Sequence, residues 1–322
     1  MRRVIGYVFL LIGAFALVAA GVAGFWGRDA AATVPLNVNT TTVLEGTASG
    51  ALAKSDQPVK VKYTRTTEAA PKDSTDEVVV FVEAGCIMVQ EPEGDTPPCA
   101  RAEVDPRVVI TTERAYAMDR KTSEVVEDQA KYVGEDKAVA NMSGLAGKFP
   151  FGTDRHDYEY WDDTLGRTVV ATYVDDADIE GVKTYQFEVS ASSDDEILSK
   201  GEDGEAGTDD DVRGSYEATQ TIYVEPTTGS YIDQSATQKM VTSTGMELID
   251  AEMSYTDETV SKNAEDAKAN ISKLDLIGTW IPVGGVVAGL VFLLIGLWLV
   301  LRGRKPNGGA HAASGDRTLV DA

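Results

Sequence analysis

The sequence predicts a mainly β protein: a large antiparallel β ectodomain with one flanking helix, tethered by an N-terminal and a C-terminal transmembrane helix. Three observations lead there. Charge-free apolar runs stand near both ends, Val4–Trp26 and Ile281–Leu301, each bordered by arginine. Between them, short runs alternate apolar and polar residues with the period of two that marks half-buried strands. One segment, residues 256–274, carries instead an apolar stripe at helical spacing.

The C-terminal run holds 21 residues without a charge. At about 1.5 Å per residue it makes a helix of roughly 31 Å, the thickness of a bilayer's hydrocarbon core. Its 14 Ile, Val, Leu and Phe side chains favour insertion by about 4 to 8 kcal/mol, with no buried charge opposing them. Arg302, Arg304 and Lys305 follow at once, and positive charge stays on the cytoplasmic side.

The N-terminal run follows Arg2 and Arg3 and has 23 uncharged residues. Gly21-Val22-Ala23 offers small residues to a signal peptidase, but the run is longer than a usual signal core, which favours a retained anchor. The expected order is therefore a cytoplasmic N-terminus (1–3), a transmembrane helix or uncleaved signal anchor (4–26), an extracytoplasmic domain (27–277), a transmembrane helix (278–301) and a cytoplasmic tail (302–322). That is a plasma-membrane protein with its main domain outside and both termini inside.

Charge divides the same way. Six of the 29 basic residues fall in the cytoplasmic ends, leaving 23 outside; two of the 52 acidic residues do, leaving 50 outside. The outer domain thus carries −27 and the inner ends +4. Such a domain repels nucleic-acid phosphates and keeps itself soluble. The only two cysteines, Cys86 and Cys99, flank a turn-rich segment in an oxidising compartment, so one disulfide is expected. Two sulfurs are too few for a metal site, and no cofactor is expected.

Strands are expected at 40–44, 59–67, 77–83, 108–118, 158–161, 168–174, 184–190, 219–225, 230–241 and 246–255. Val59, Val61 and Tyr63 share one face and Lys60, Lys62 and Thr64 the other. Turn residues such as Asp178-Ile-Glu-Gly181 and Glu225-Pro-Thr-Thr-Gly229 separate the runs, and connections this short favour antiparallel hairpins. Residues 116–125 and 222–231 echo each other as strand, acid, two residues, threonine, small residue, strand. That echo reads either as a duplicated half or as two hairpins solving one turn problem.

Residues 190–214, crowded with Asp and Glu, read as a mobile solvated loop. They lack the ordered alternation of an EF-hand calcium loop. Residues 256–274 read as a helix capped by Thr256, with Asp257 and Glu258 in its first turn and Val260, Ala264, Ala267, Ile271 and Leu274 on one stripe. In the apolar runs, Gly285-x-x-x-Gly289 and Ala20-x-x-x-Gly24 offer close-packing surfaces for helix association.

The densest aromatic stretch begins at Lys148-Phe-Pro-Phe-Gly152 and continues through Tyr158-x-Tyr160-Trp161-Asp162. These elements, with Met1-Arg-Arg-Val4, Thr42-Val-Leu-Glu-Gly46, Val224-Glu-Pro-x-Thr-Gly229 and Tyr255-Thr-Asp-Glu-Thr259, resemble the actinobacterial PorA-like family from the first anchor to the second. The resemblance implies a cell-envelope protein of mycolate-type actinobacteria, and the family name implies channel formation in some relatives. It carries no catalytic residues.

Two readings of function follow. In the first, the β domain binds or helps transfer an amphipathic envelope component, or supports a membrane complex, with Phe149, Phe151, Tyr158, Tyr160 and Trp161 lining an apolar groove. Its partners are the bilayer and envelope lipid or other membrane proteins. In the second, the chain is a channel-forming porin-type wall protein. Short strands and few aromatics argue against a lipid-embedded barrel. No enzyme is expected: His156 is the sole histidine of the outer domain and no nucleophile elbow accompanies it, while Asp162 and Asp163, as neighbours on a strand, point to opposite faces.

Overall fold

The computed structural model describes residues 2–91, 105–135, 137–201 and 207–302. The chain forms two compact units, one within Met1–Ala31 and Asp275–Ala322 and the other Ala32–Leu274.

The terminal unit is built from α1 (Arg2–Val22), α2 (Arg28–Ala31) and α5 (Ile281–Arg302). Single π-helical turns at Ala23–Gly27 and Leu276–Trp280 adjoin them. Both terminal helical stretches are long and apolar enough to cross a membrane. They pack antiparallel: Gly6 faces Gly296 and Val300, Gly13 faces Gly289 and Leu293, and Ala20 faces Gly285.

The second unit is a ten-stranded antiparallel sheet. Its strands are β1 (Asn39–Gly50), β2 (Ser55–Ala69), β3 (Val78–Val89), β4 (Val108–Asp119), β5 (Tyr158–Asp162), β6 (Arg167–Ile179), β7 (Val182–Ser199), β8 (Val212–Glu225), β9 (Ser230–Thr242) and β10 (Glu247–Tyr255). They lie in the order β4-β3-β2-β1-β10-β9-β8-β7-β6-β5. Every sequence-expected strand is present. Several are longer than expected, because pairing with a neighbour continues through polar residues that have no apolar alternation to reveal them. β7 runs 18 residues and β2 runs 15.

Residues 190–214 are the clearest correction. β7 reaches Ser199 and β8 starts at Val212, with Glu196 opposite Gly214 and Ile197 opposite Arg213. The Arg213 guanidinium donates to Asp195 at 2.8 Å. Backbone pairing and this ion pair extend a hairpin stem into a segment whose composition alone reads as loop. Elsewhere turn chemistry works as expected: Glu180 and Gly181, both at positive φ (52° and 74°), join Ile179 to its partner Val182, the geometry of a tight two-residue hairpin.

The sheet curls until its edges are joined. Met118 of β4 bridges Val125, Glu124 bridges Leu145, and Leu145 bridges Tyr160 of β5. Val125 N donates to Gly144 O at 2.9 Å and Trp161 N to Leu145 O at 2.8 Å. These short segments carry the hydrogen-bond ladder from one edge to the other, which turns the sheet into a closed wall. Every strand contributes to one buried cluster, including Leu44, Val61, Ile87, Val109, Tyr160, Ala171, Phe187, Ile222, Met240 and Ile249. Apolar side chains from all ten strands meet in the interior.

The helix α3 (Ala130–Val133) is a single turn. The helix α4 (Asp257–Asp275) starts where the sequence places it, with Thr256 Oγ1 accepting from Thr259 N at 3.2 Å. Ala264 and Ala267 bury against Val182 and Ile232, so the expected stripe does lie against the sheet.

Candidate functional site

The Lys148–Gly152 segment is held between the two turns that echo each other in sequence. In each turn a strand-end carboxylate accepts from the backbone two and three residues on: Asp119 Oδ1 from Lys121 N and Thr122 N, and Glu225 from Thr227 N and Thr228 N. Ser123 Oγ then donates to Phe149 O at 3.0 Å, and Phe149 N donates to Gly229 O at 3.1 Å. The Lys148 ammonium donates to the carbonyls of Phe149 and Thr228 and sits 4.2 Å from the centre of the Phe151 ring. Burial pulls its pKa down to about 7, partly countered by Glu225.

The clamp drives Phe149 into the barrel interior, where it is 0% exposed. Its ring lies 4.5 Å from that of Phe187 and 5.2 Å, edge-on, from that of Tyr158. Tyr160 enters the same cluster, and Tyr231 donates to the Tyr160 hydroxyl at 3.2 Å. Burial raises the pKa of both phenols.

Trp161, one residue on, points the other way. It packs with Val79, Tyr116, Met118 and Met142 in a second cluster, against which Phe151 also lies. Strand alternation separates Tyr158 and Tyr160 from Trp161, and the clamped loop separates Phe149 from Phe151. The five expected groove residues therefore divide: Phe149, Tyr158 and Tyr160 go to the interior, Phe151 and Trp161 to the second core. Trp161, at 3% exposure, and its partners are packing residues here, and the five share no common surface.

The remaining candidates are dispersed. Cys86 is buried on β3 beside Met88 and Val108; Cys99 lies outside the described residues. His156 stacks on Tyr158 with ring centres 4.1 Å apart. Asp162 is buried and accepts from the Tyr216 hydroxyl at 3.0 Å, whereas Asp163 accepts from Arg114 and from the Trp161 indole. Burial is the main cause raising the Asp162 pKa. Among the described residues no group of three or more His, Cys, Asp or Glu side chains is placed to hold a metal ion. A concavity of about 360 Å³ crosses β1, β10, β9 and β8 and is lined by Glu45, Thr47, Thr219, Thr237 and Glu252.

The expected small-residue contact between helices is realised, with a wider seam than the sequence motif indicated. Gly285 meets Ala20 and Gly289 meets Leu17 and Gly13. Gly6, Gly13 and Ala20 recur every seven residues on α1, and Gly289 and Gly296 do so on α5; all five are buried. A seven-residue repeat keeps such a seam facing its partner along the whole helix pair.

The family model described as Porin PorA matches residues 5–298. The chain belongs to this PorA family. A relative from Corynebacterium resistens, described as Porin PorA, is 24% identical in an alignment covering 75% of this chain and 76% of the relative.

In this PorA-family chain the barrel wall has the polarity of a water-soluble protein. Along β10, Ile249, Ala251, Met253 and Tyr255 are buried while Asp250, Glu252 and Ser254 are exposed; β7 repeats the pattern with Phe187, Val189 and Ala191 in and Glu188, Ser190 and Ser192 out. A lipid-embedded barrel needs an apolar outer band and a polar lumen. The strand-length objection raised from sequence falls, since the strands are long enough. The direction of the side chains replaces it.

Proposed function

We propose that the protein is a porin-type component of a cell-envelope membrane, in which the α1–α5 pair spans the bilayer and conductance arises where several such pairs assemble, outside the barrel. The observation that carries this reading is the family match, which runs through both terminal helices. The apolar interior and polar exterior of the barrel support its placement in water. Large apolar residues on the outer faces of the pair, such as Leu11, Phe15, Leu290 and Leu294, support contact with lipid. Phe25, Trp26 and Trp280 are exposed near one end of the pair, and Tyr7 and Trp298 near the other. The Arg302 guanidinium sits 4.7 Å from the Trp298 ring centre. Trp280 and Trp298 are separated by about 27 Å of helix, a spacing that suits two aromatic belts at the membrane surfaces.

On this reading Arg2, Arg3 and Arg302 remain in the cytoplasm and the barrel is extracytoplasmic. The reading assigns no catalysis to the chain. Binding of an amphipathic envelope component finds no support in the five aromatics, which share no surface.

Planar-bilayer recording of the purified full-length chain is the test. Discrete conductance steps are expected, weakened by Gly13→Leu at the helix seam and unchanged by Phe149→Ala in the barrel interior. No steps at any protein concentration refutes the channel, and steps abolished by Phe149→Ala alone would move the path into the barrel.

A further inference from the structure

The barrel interior holds a guanidinium with a buried nitrogen that makes no hydrogen bond. Arg65 lies on β2 between Thr42 of β1 and Gly85 of β3. Its Nε is buried and hydrogen-bonds to nothing; among the described residues the whole guanidinium donates no hydrogen bond. A buried guanidinium nitrogen without a hydrogen-bond partner costs free energy, and it calls for a physical account.

The nearby acceptor is already saturated. Glu83 Oε2 takes Arg114 Nε at 2.8 Å and Nη2 at 2.7 Å, while Oε1 takes the Tyr116 hydroxyl and Thr67 Oγ1, both at 3.2 Å. Arg114 reaches a second carboxylate, Asp163, at 2.6 Å. The other groups whose charge Arg65 feels are the phenols of Tyr255, Tyr63 and Tyr160. The hydroxyls of Tyr63 and Tyr255 make no hydrogen bond among the described residues. Tyr160 accepts from Tyr231, so its own proton remains available to donate. Burial raises the Tyr160 pKa and pushes that of Tyr255 up to about 12, which keeps both phenols protonated near neutral pH. Arg65 thus feels the Glu83 charge without a hydrogen bond to it, because both Glu83 oxygens are bonded elsewhere, and the other groups around it are phenol hydroxyls.

We propose that Arg65, with the hydroxyls of Tyr160, Tyr255 and Tyr63, forms an oxyanion-binding site inside the barrel that takes a carboxylate or phosphate group. Two oxygens of such a group match the guanidinium fork, and the phenols complete its shell with donors. Water would satisfy single N–H groups, whereas an oxyanion engages two of them at once. Arg65 is only half-buried as a residue, so part of its surface remains within reach of a small ligand. The site stands whether or not the helix pair conducts.

Calorimetric titration of the full-length chain, dialysed free of oxyanions, tests it with two probes, inorganic phosphate and octanoate. Saturable one-site binding of at least one probe is expected. Phosphate alone identifies a free phosphate or phosphorylated headgroup, and octanoate alone identifies a carboxylate with an acyl tail. Arg65→Met should weaken the bound probe at least tenfold, and Tyr255→Phe, which keeps the shape and removes one donor, several-fold. Both variants should still show a cooperative melting transition without anion, which separates loss of binding from loss of the fold. Failure of the wild type to bind either probe overturns the site, as does equal binding by the wild type and both variants.

Discussion

Gly229 lies so close to Phe149 that a Cβ at 229 would come within 2.1 Å of the Phe149 carbonyl oxygen. The same glycine sits at a φ of 69°, a left-handed conformation that side chains disfavour. Both facts lock the turn after β8 to the segment that drives Phe149 into the barrel.

Gly229→Ala is therefore expected to destabilise the barrel by roughly 2 kcal/mol or more, from backbone strain and displacement of the Phe149 segment. The midpoint of denaturant unfolding for the full-length protein, followed by near-UV dichroism, checks it. An unchanged midpoint would mean that the turn relaxes freely.

Trp161→Ala should cost about 3 to 5 kcal/mol, because it deletes a large buried side chain and leaves a cavity in the second core. Its indole also donates to Asp163 at 3.0 Å. A shift of less than a degree in the melting temperature would argue that the second core is dispensable.

Glu83 links stability to pH. Burial alone would raise its pKa, but Arg114 and Arg65 outweigh that and hold it below the usual carboxylate value. A carboxylate with a lowered folded-state pKa contributes stability above its unfolded value, near 4.5, and loses it as the pH falls through the folded value. Wild-type stability should thus decline below about pH 4.5. Glu83→Gln should be less stable at neutral pH and show a shallower acid limb. Parallel acid limbs in the two proteins would rule Glu83 out as a contributor.

The helix seam makes a covalent prediction. Ala20 and Gly285 face each other closely, so Ala20→Cys with Gly285→Cys in one chain should oxidise to an intrachain bridge detectable by peptide mapping. Adding Gly13→Leu, whose side chain would collide with the Gly289 carbonyl, should lower the yield. Mapping should also find a native crosslink between Cys86 and Cys99, worth about 3 kcal/mol on a loop of this size; free thiols at both positions would refute it.

Strand positions were legible because alternation at residues such as Val59, Val61 and Tyr63 is a local signal. The joining of the sheet edges was not, because it rests on Leu145, a single residue in an irregular segment whose partners Glu124 and Tyr160 are distant in sequence. Phe149 and Trp161 announced themselves by aromatic density, which says that they bury but not into which core. That answer comes from the strand parity of Tyr160 and Trp161 and from Ser123 and Gly229, whose role depends on contacts across the fold. Arg65 looked like one polar residue in an alternating strand, and its lack of a hydrogen-bond acceptor shows only once Glu83 is seen to be engaged by Arg114, Tyr116 and Thr67.

The pairing of β1 with β10, Leu44 opposite Tyr255, has a consequence for biogenesis. The first strand made has its second neighbour among the last residues of the domain to be synthesised, and α1 must likewise wait for α5. Contacts between such distant parts of a chain slow folding, because closing the loop costs entropy before any contact repays it. Until residue 255 emerges, β1 keeps an open edge that another chain can pair with. A nascent molecule of this kind needs shielding until that strand arrives, and a stalled or truncated one is a ready seed for aggregation.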